Sequence, residues 1–337
     1  MFRLLEYCGV IILNIRGKNL IFILLLGFVF PAILFSFAHN KTTTEDFPET
    51  TAKVETVYLE ETIPAKHYLR VVVADGTIQN LELDTYLISV VLREMPTSFE
   101  NEALKAQAVV ARTYALRRQA TGGKHAGADV CTSPACCQGY WSVEEFLNDG
   151  GTQEELEKVT DAVLSTTGQV LTYNDELIEA TYFSCSGGMT EDAKAVWGSD
   201  IPYLQSVESP GEENAGAYTE TVSLELSEFA EKLGKKFSGN TNAWVEDVTY
   251  TDGGGVDTIT ICGATYKGTE FRKLLGLRST AFVISAVGSR IIITTKGYGH
   301  RVGMSQYGAD AMAVGGSGYK EILAHYYSGT KISLHKG

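Results

Sequence analysis

In the run Leu83-Asp84-Thr85-Tyr86-Leu87-Ile88-Ser89-Val90-Val91-Leu92-Arg93-Glu94-Met95-Pro96, a carboxylate sits where helical periodicity places apolar residues. Pro96 forces a helix to end near Met95, and Asp84 has the chemistry of an N-cap. Leu87, Val90 and Val91 precede Glu94 by seven, four and three residues and share its face, whereas Arg93 lies on another. A carboxyl group on that stripe loses hydration, which favours its protonated form at neutral pH. A general acid in glycoside chemistry needs that property. A buried glutamate paired with an arginine, or one that escapes at a frayed last turn, fits the same pattern without chemistry.

Other groups with chemical potential follow. Lys105 and Arg112, seven residues apart on one face with Ala108, present two positive charges to a carboxylate or polar substrate, or else form a solvated face. His125, Cys131 and Cys137 are separated by five residues each, with Cys136 beside the last, in a loop holding Gly122, Gly123, Gly127 and Pro134. One imidazole and two thiolates supply three of the four ligands of tetrahedral zinc. A Cys131–Cys137 disulfide fits the spacing equally well. Ser184 and Ser186 precede Gly187-Gly188, a loop whose hydroxyls and amides either reach sugar hydroxyls or only serve the turn. Gly297-Tyr298-Gly299-His300 is a glycine-flanked turn that exposes one imidazole before a helix start at Met304-Ser305-Gln306-Tyr307. Tyr298 and Tyr307 offer rings for pyranose faces.

These groups need a scaffold, and the chain is long enough to build one. Its 337 residues are 44% hydrophobic and 20% charged, a globular composition that excludes disorder, collagen and coiled coil for the bulk. A net charge of −13, carried by the body, excludes a nucleic-acid partner. Six cysteines are too few for a disulfide scaffold. Residues 20–38 are uncharged, with Arg3, Arg16 and Lys18 before them and Glu45 and Asp46 after. They read as a transmembrane anchor with residues 1–19 cytoplasmic and the body outside, or as a signal peptide cleaved after Ser36 and Ala38. Residues 39–62, rich in Thr and Glu, read as a flexible tether, and 63–337 as the extracytoplasmic domain. Strand patterns fall at 69–83 around Asp75-Gly76, 169–173, 177–183, 245–250, 258–262 and 290–295. Helical patterns fall at 84–95, 101–120, 152–166, 227–237, 269–275 and 319–327. Strands outnumber crossover helices, so the fold class is α+β, with a mainly antiparallel sheet and packed helices. Residues 217–285 have their own strands and helices and read as a protruding α/β subdomain.

Three blocks carry a family resemblance: residues 90–115, VVLREMPTSFENEALKAQAVVARTYA; residues 182–210, YFSCSGGMTEDAKAVWGSDIPYLQSVESP; and residues 297–330, GYGHRVGMSQYGADAMAVGGSGYKEILAHYYSGT. In this order they resemble the sporulation stage II protein D and amidase-enhancer family. The anchor and acidic tether are similar to those of its sporulation branch, and the His–Cys–Cys loop to that of clostridial members. The resemblance implies a lytic transglycosylase that cuts peptidoglycan during forespore engulfment, with Glu94 as catalytic acid and Lys105 and Arg112 beside the substrate. Ser184, Ser186, His300, Gln306 and Tyr307 would line the saccharide groove. The resemblance also implies zinc on His125, Cys131 and Cys137, mainly structural, with the fourth position open. Implied partners are the glycan, a cell-wall amidase and the membrane scaffold of the engulfment machinery. The implied location is the mother-cell membrane, facing the intermembrane space. Two alternatives are a non-catalytic, glycan-binding activator of an amidase and a zinc hydrolase using the three metal ligands. One residue departs from the family pattern: Arg301 follows His300, where the family carries glycine, and positive φ there would strain an arginine.

Overall fold

The computed structural model describes residues 66–236 and 244–335, together with the backbone of three strands near the N-terminus. Those strands, Glu6–Tyr7, Val10–Ile15 and Lys18–Ile23, pair antiparallel in sequence order. The chain divides into two units, Met1–Thr62 and Ile63–Gly337. Residues 20–23 of the expected anchor fall in the third strand; the rest of the anchor and the tether lie outside the described residues. No helix among the described residues is long and apolar enough to cross a membrane.

The second unit begins with β1 (Tyr68–Val72) and β2 (Ile78–Glu82), antiparallel across the Asp75-Gly76 turn. Gly76 there has φ +85°, and Asp75 accepts from the Thr77 N–H at 2.9 Å. α1 (Leu83–Glu94) follows directly. Its N-cap is Glu82, which accepts from the Thr85 N–H at 2.9 Å, and not Asp84. Asp84 lies inside the helix, where its carboxylate meets Arg112 at 3.1 Å. α2 (Asn101–Thr121) is buried through most of its length. Its fully buried Ala103, Ala106, Ala108, Ala111 and Ala115 leave no bulk between it and the neighbouring helices. β3 (Val130–Cys131) lies parallel to β1. α3 (Val143–Asn148) and α4 (Gln153–Leu164) each open with a capping box, Ser142/Glu145 and Thr152/Glu155.

β4 (Gln169–Tyr173) pairs with β5 (Glu176–Leu177). The run 177–183, expected as one strand, breaks before β6 (Tyr182–Phe183). In the break the Glu179 N–H goes to the Tyr203 hydroxyl at 3.0 Å, and the Glu179 carboxylate takes Arg117 and Arg118. α5 (Ala193–Trp197) ends at Gly198. Next come β7 (Thr219–Glu225), α6 (Leu226–Lys232), β8 (Val245–Tyr250), β9 (Val256–Ile261), β10 (Ala264–Lys267), α7 (Gly268–Leu275), β11 (Phe282–Val287) and β12 (Arg290–Lys296). They form two three-stranded antiparallel sheets, ordered β7-β12-β11 and β8-β9-β10. Between them lies a second apolar cluster that includes Leu224, Phe229, Ile259, Phe271 and Ile293. The segment expected to protrude, 217–285, therefore has a core of its own that runs on to Ile293.

The chain then returns to the first core through β13 (Met304–Ser305), α8 (Gln306–Val314), α9 (Tyr319–Tyr326) and β14 (Lys331–Leu334). The fold is α+β. Among the described strands every pair is antiparallel except β1–β3 and β6–β13. Both parallel pairs carry residues of the site described next.

Candidate functional site

Glu94 ends α1 because Pro96 stops the helix one turn after the buried Val90 and Val91. Its carboxyl opens into a cleft of about 760 Å³ lined by residues of all three sequence blocks. Burial pushes the Glu94 carboxyl above the ordinary carboxylate value; the Gly139 N–H, the Tyr182 hydroxyl and Arg93 pull it back part of the way. From the third block, Gln306 holds the same turn, its Nε2–H donating to the Glu94 carbonyl at 2.9 Å. The other carboxylate of the cleft, Glu179, is engaged by Arg117 and Arg118. Asp84 and Glu102 are committed to Arg112 and Lys105 and do not line the cleft.

Opposite, His300 packs its ring on Phe183 and Trp197, with centroids 5.6 and 5.4 Å away. Burial, with Arg272 adding to it, lowers its pKa to about 4, so the imidazole is neutral near pH 7. Nδ1 accepts the Val302 N–H at 3.1 Å, which leaves the ring proton on Nε2. Trp197 and Tyr298 are 43% and 48% exposed at the cleft, flat apolar faces of the kind that sugars stack against.

Beside the cleft, whose lining includes Cys136 and Cys137, ligand atoms of His125, Cys131, Cys136 and Cys137 all lie within 4.8 Å of one another. His125 Nε2 is 3.5 Å from Cys136 Sγ and 3.6 Å from Cys137 Sγ. Cys136 is thus the fourth donor that the spacing alone left open, and the thiols are free rather than bridged. One imidazole and three sulfurs fit a tetrahedral zinc ion. Burial pushes the Cys131 thiol up to about 11, so a thiolate there needs a cation at hand. Lys124, which donates to the Cys136 carbonyl at 2.9 Å, stands beside the cluster.

The structure puts several expected groove residues to other uses. Arg112 is fully buried, away from the cleft, and donates to Asp84 and to the carbonyls of Val163, Thr166 and Gln169 at 2.9–3.4 Å. Its role is to tie α2 to α1 and α4. Lys105 pairs with Glu102 at 2.6 Å, three residues back on its own helix. The cations that do line the cleft are Arg118 and Lys124. Tyr307 packs edge-on against Phe99, with centroids 5.0 Å apart, and also lies outside the cleft. Ser184 lines the cleft. Ser186 is buried, where its N–H and hydroxyl donate to Glu212 at 2.8 and 2.9 Å. That carboxylate also receives Gly187 N–H, Ser209, Ser305 and the Cys185 thiol, which knits the second block to the third.

Arg301 does adopt the left-handed conformation, with φ +65°. Its buried guanidinium is spent on four partners: Glu191 at 3.1 Å and the carbonyls of Ser186, Met189 and Gly253 at 2.7–2.8 Å. Glu191 in turn accepts Thr251 and the Gly255 N–H. This pair fastens the 251–255 turn of the β7–β12 segment against the loop that carries His300. Gly139, Tyr182, Arg118 and Trp197 went unread in the sequence. Arg118 and Trp197 had only ordinary surface spacing, and Gly139 and Tyr182 meet Glu94 solely through the tertiary fold.

The family model described as Stage II sporulation protein matches residues 74–173. The chain is 43% identical over 265 residues to the Stage II sporulation protein D of Bacillus subtilis (strain 168), covering 77% of each chain. It is 41% identical over 265 residues to the protein of the same name from Bacillus amyloliquefaciens, covering 77% of this chain and 76% of the relative. It is also 30% identical over 303 residues to the Amidase enhancer of Bacillus subtilis (strain 168), covering 74% of this chain and 40% of that one.

Proposed function

Because the chain belongs to the Stage II sporulation protein D family, we propose that it is a lytic transglycosylase of peptidoglycan acting in forespore engulfment. The observation that carries this reading is Glu94: a carboxyl raised by burial, open to a cleft whose other carboxylate is tied to two arginines. Hydrolases of this kind commonly use two carboxylates. One suffices when the nucleophile belongs to the substrate. Glu94 gives its proton to the glycosidic oxygen between N-acetylmuramic acid and N-acetylglucosamine as the bond to the anomeric carbon breaks. The muramic 6-hydroxyl then attacks that carbon and returns its proton to Glu94. The product is a 1,6-anhydro end, and no water is consumed. Neutral His300 and the exposed rings of Trp197 and Tyr298, which line the same cleft, orient the sugars by hydrogen bonding and stacking.

Zinc on His125, Cys131, Cys136 and Cys137 would hold the Gly-rich loop that follows α2, a structural task. The body would stand outside the membrane on its N-terminal anchor, with a wall amidase and the engulfment scaffold as partners. In the test, the full-length chain and Glu94→Gln are incubated with glycan strands, and the ends are read by mass spectrometry. Anhydro-muramic ends from the wild type alone support the reading. Stimulation of an amidase without new ends would replace it with the activator, and reducing ends with a hydrolase.

A further inference from the structure

Behind the cleft wall, two buried polar side chains lead to Tyr182, which lines the cleft with Glu94. The Tyr86 hydroxyl donates to Gln138 Oε1 at 3.3 Å, and Gln138 Nε2–H donates to the Tyr182 hydroxyl at 3.3 Å. The Tyr182 hydroxyl and the Glu94 carboxyl line the same cleft, and the hydroxyl's hydrogen bond holds the carboxyl's pKa down. Tyr86 and Gln138 are fully buried. Burial lifts both tyrosines well above their ordinary value, so each keeps its proton. An ionised carboxylate only accepts, so Tyr182 is the donor in that last contact. From a second direction the Gly139 N–H donates to Glu94 Oε1. The other titratable groups facing Glu94 are Arg93 on its own helix and Tyr86 behind Tyr182.

We propose that Tyr182, oriented by Gln138 and Tyr86, is the positioning residue that steadies the Glu94 carboxylate between its two proton transfers. The proposal rests on the transglycosylase reading above. In that reaction one carboxyl must first give a proton and then take one. Burial on an apolar face serves the first step and hinders the second, because it favours the protonated form throughout. A donor that bonds the ionised form more strongly than the protonated one restores the balance. It also fixes which oxygen faces the muramic 6-hydroxyl, since Gly139 and Tyr182 both restrain the carboxylate. Tyr182 keeps its own proton from start to finish: the proton leaves Glu94 for the glycosidic oxygen and returns from the 6-hydroxyl.

The test uses the full-length chain, wild type, Tyr182→Phe and Tyr86→Phe, with carbon-13-labelled glutamate carboxyls and Glu94→Gln to assign the Glu94 signal. Tyr182→Phe removes one oxygen and keeps the ring, so its Glu94 titration should move up by about one pH unit. The corresponding limb of the kcat–pH profile should move with it, with kcat falling about tenfold and KM unchanged. Tyr86→Phe, one link further out, should move both in the same direction by less. A Glu94 titration that stays in place in Tyr182→Phe overturns the proposal whatever the activity does. If the titration moves but wild type yields no anhydro ends, the positioning stands and the transglycosylase reading is what fails.

Discussion

Arg301→Gly puts glycine, the residue suited to a left-handed backbone, at a site this chain has built around an arginine. Removing the guanidinium leaves Glu191, 1% exposed, without its cation, and leaves three carbonyls without a donor. Breaking a buried pair from one side costs about 3–5 kcal/mol. Glycine returns about 1 kcal/mol of that, because φ +65° strains a residue that has a Cβ. Arg301→Gly should therefore lower the unfolding free energy by about 3 kcal/mol, and Arg301→Ala, which keeps the strain, by about 4 kcal/mol. The deficit should depend on pH. Burial already raises the Glu191 carboxyl and Arg301 opposes it, so without Arg301 the folded-state value climbs further. A carboxyl raised in the folded state contributes stability below its unfolded value and loses it as pH rises through the folded value. The deficit is thus smallest in acid and widens toward neutrality. Urea midpoints at several pH values for wild type and both variants read all of this. Arg301→Gly as stable as wild type, or Arg301→Ala as stable as Arg301→Gly, would refute the reasoning.

Glu94→Ala should abolish anhydro-end formation while costing little stability, because it removes a desolvated carboxyl; thermal unfolding beside the glycan assay checks both. The alkaline limb of the wild-type pH–rate profile, where Glu94 loses the proton it must donate, should lie above the ordinary Glu value of about 4.3. Neutral His300 contributes stability that is present above its ordinary value of 6.5 and is lost as pH falls toward about 4, so His300→Gln should flatten the acid side of the stability curve. Gly139→Ala brings a Cβ to 2.9 Å from Glu94 Oε1 and 2.8 Å from Arg93 Cγ, and the displaced carboxyl should cost about tenfold or more in kcat with KM unchanged. Cys136→Ser should lower metal content by elemental analysis as Cys131→Ser does; full retention would remove Cys136 from the ligand set.

Glu94 was legible because a charge on the Leu87–Val90–Val91 stripe violates helical patterning, and local rules detect such violations. The helices carried their own signals in Pro96, in the capping boxes and in the alanine-rich face of α2. Arg112 misled for the same reason Glu94 informed: spacing along a helix says which face a residue shares but not what covers that face. Here α1 and α4 cover it, so a cation that reads as solvent-facing becomes a buried tie. Cys136 was visible beside Cys137, but two adjacent cysteines alternate in direction in most backbones, and only the loop's turn brings both sulfurs to His125. Tyr182 and Gly139 act on Glu94 from 88 and 45 residues away along the chain, across contacts that no periodicity encodes.

The pairing of β6 with β13 has a consequence for how the chain reaches its native state. Phe183 and Ser305 lie side by side, yet about 120 residues separate them, a long loop to close in an unfolded chain. Within that loop, β7 and β12 bring Thr219 and Lys296 together, and the second apolar cluster gives the segment between them its own driving force. If this segment folds first, the effective loop shrinks to about 45 residues, which lowers the closure entropy by roughly 1 kcal/mol, about fourfold in rate. The cleft then closes last: Glu94, on a local helix, waits for the strand that delivers Tyr182 and for the return segment that delivers Gln306. In that order the cleft is completed at the end of folding, after the segment that shortens the path has formed.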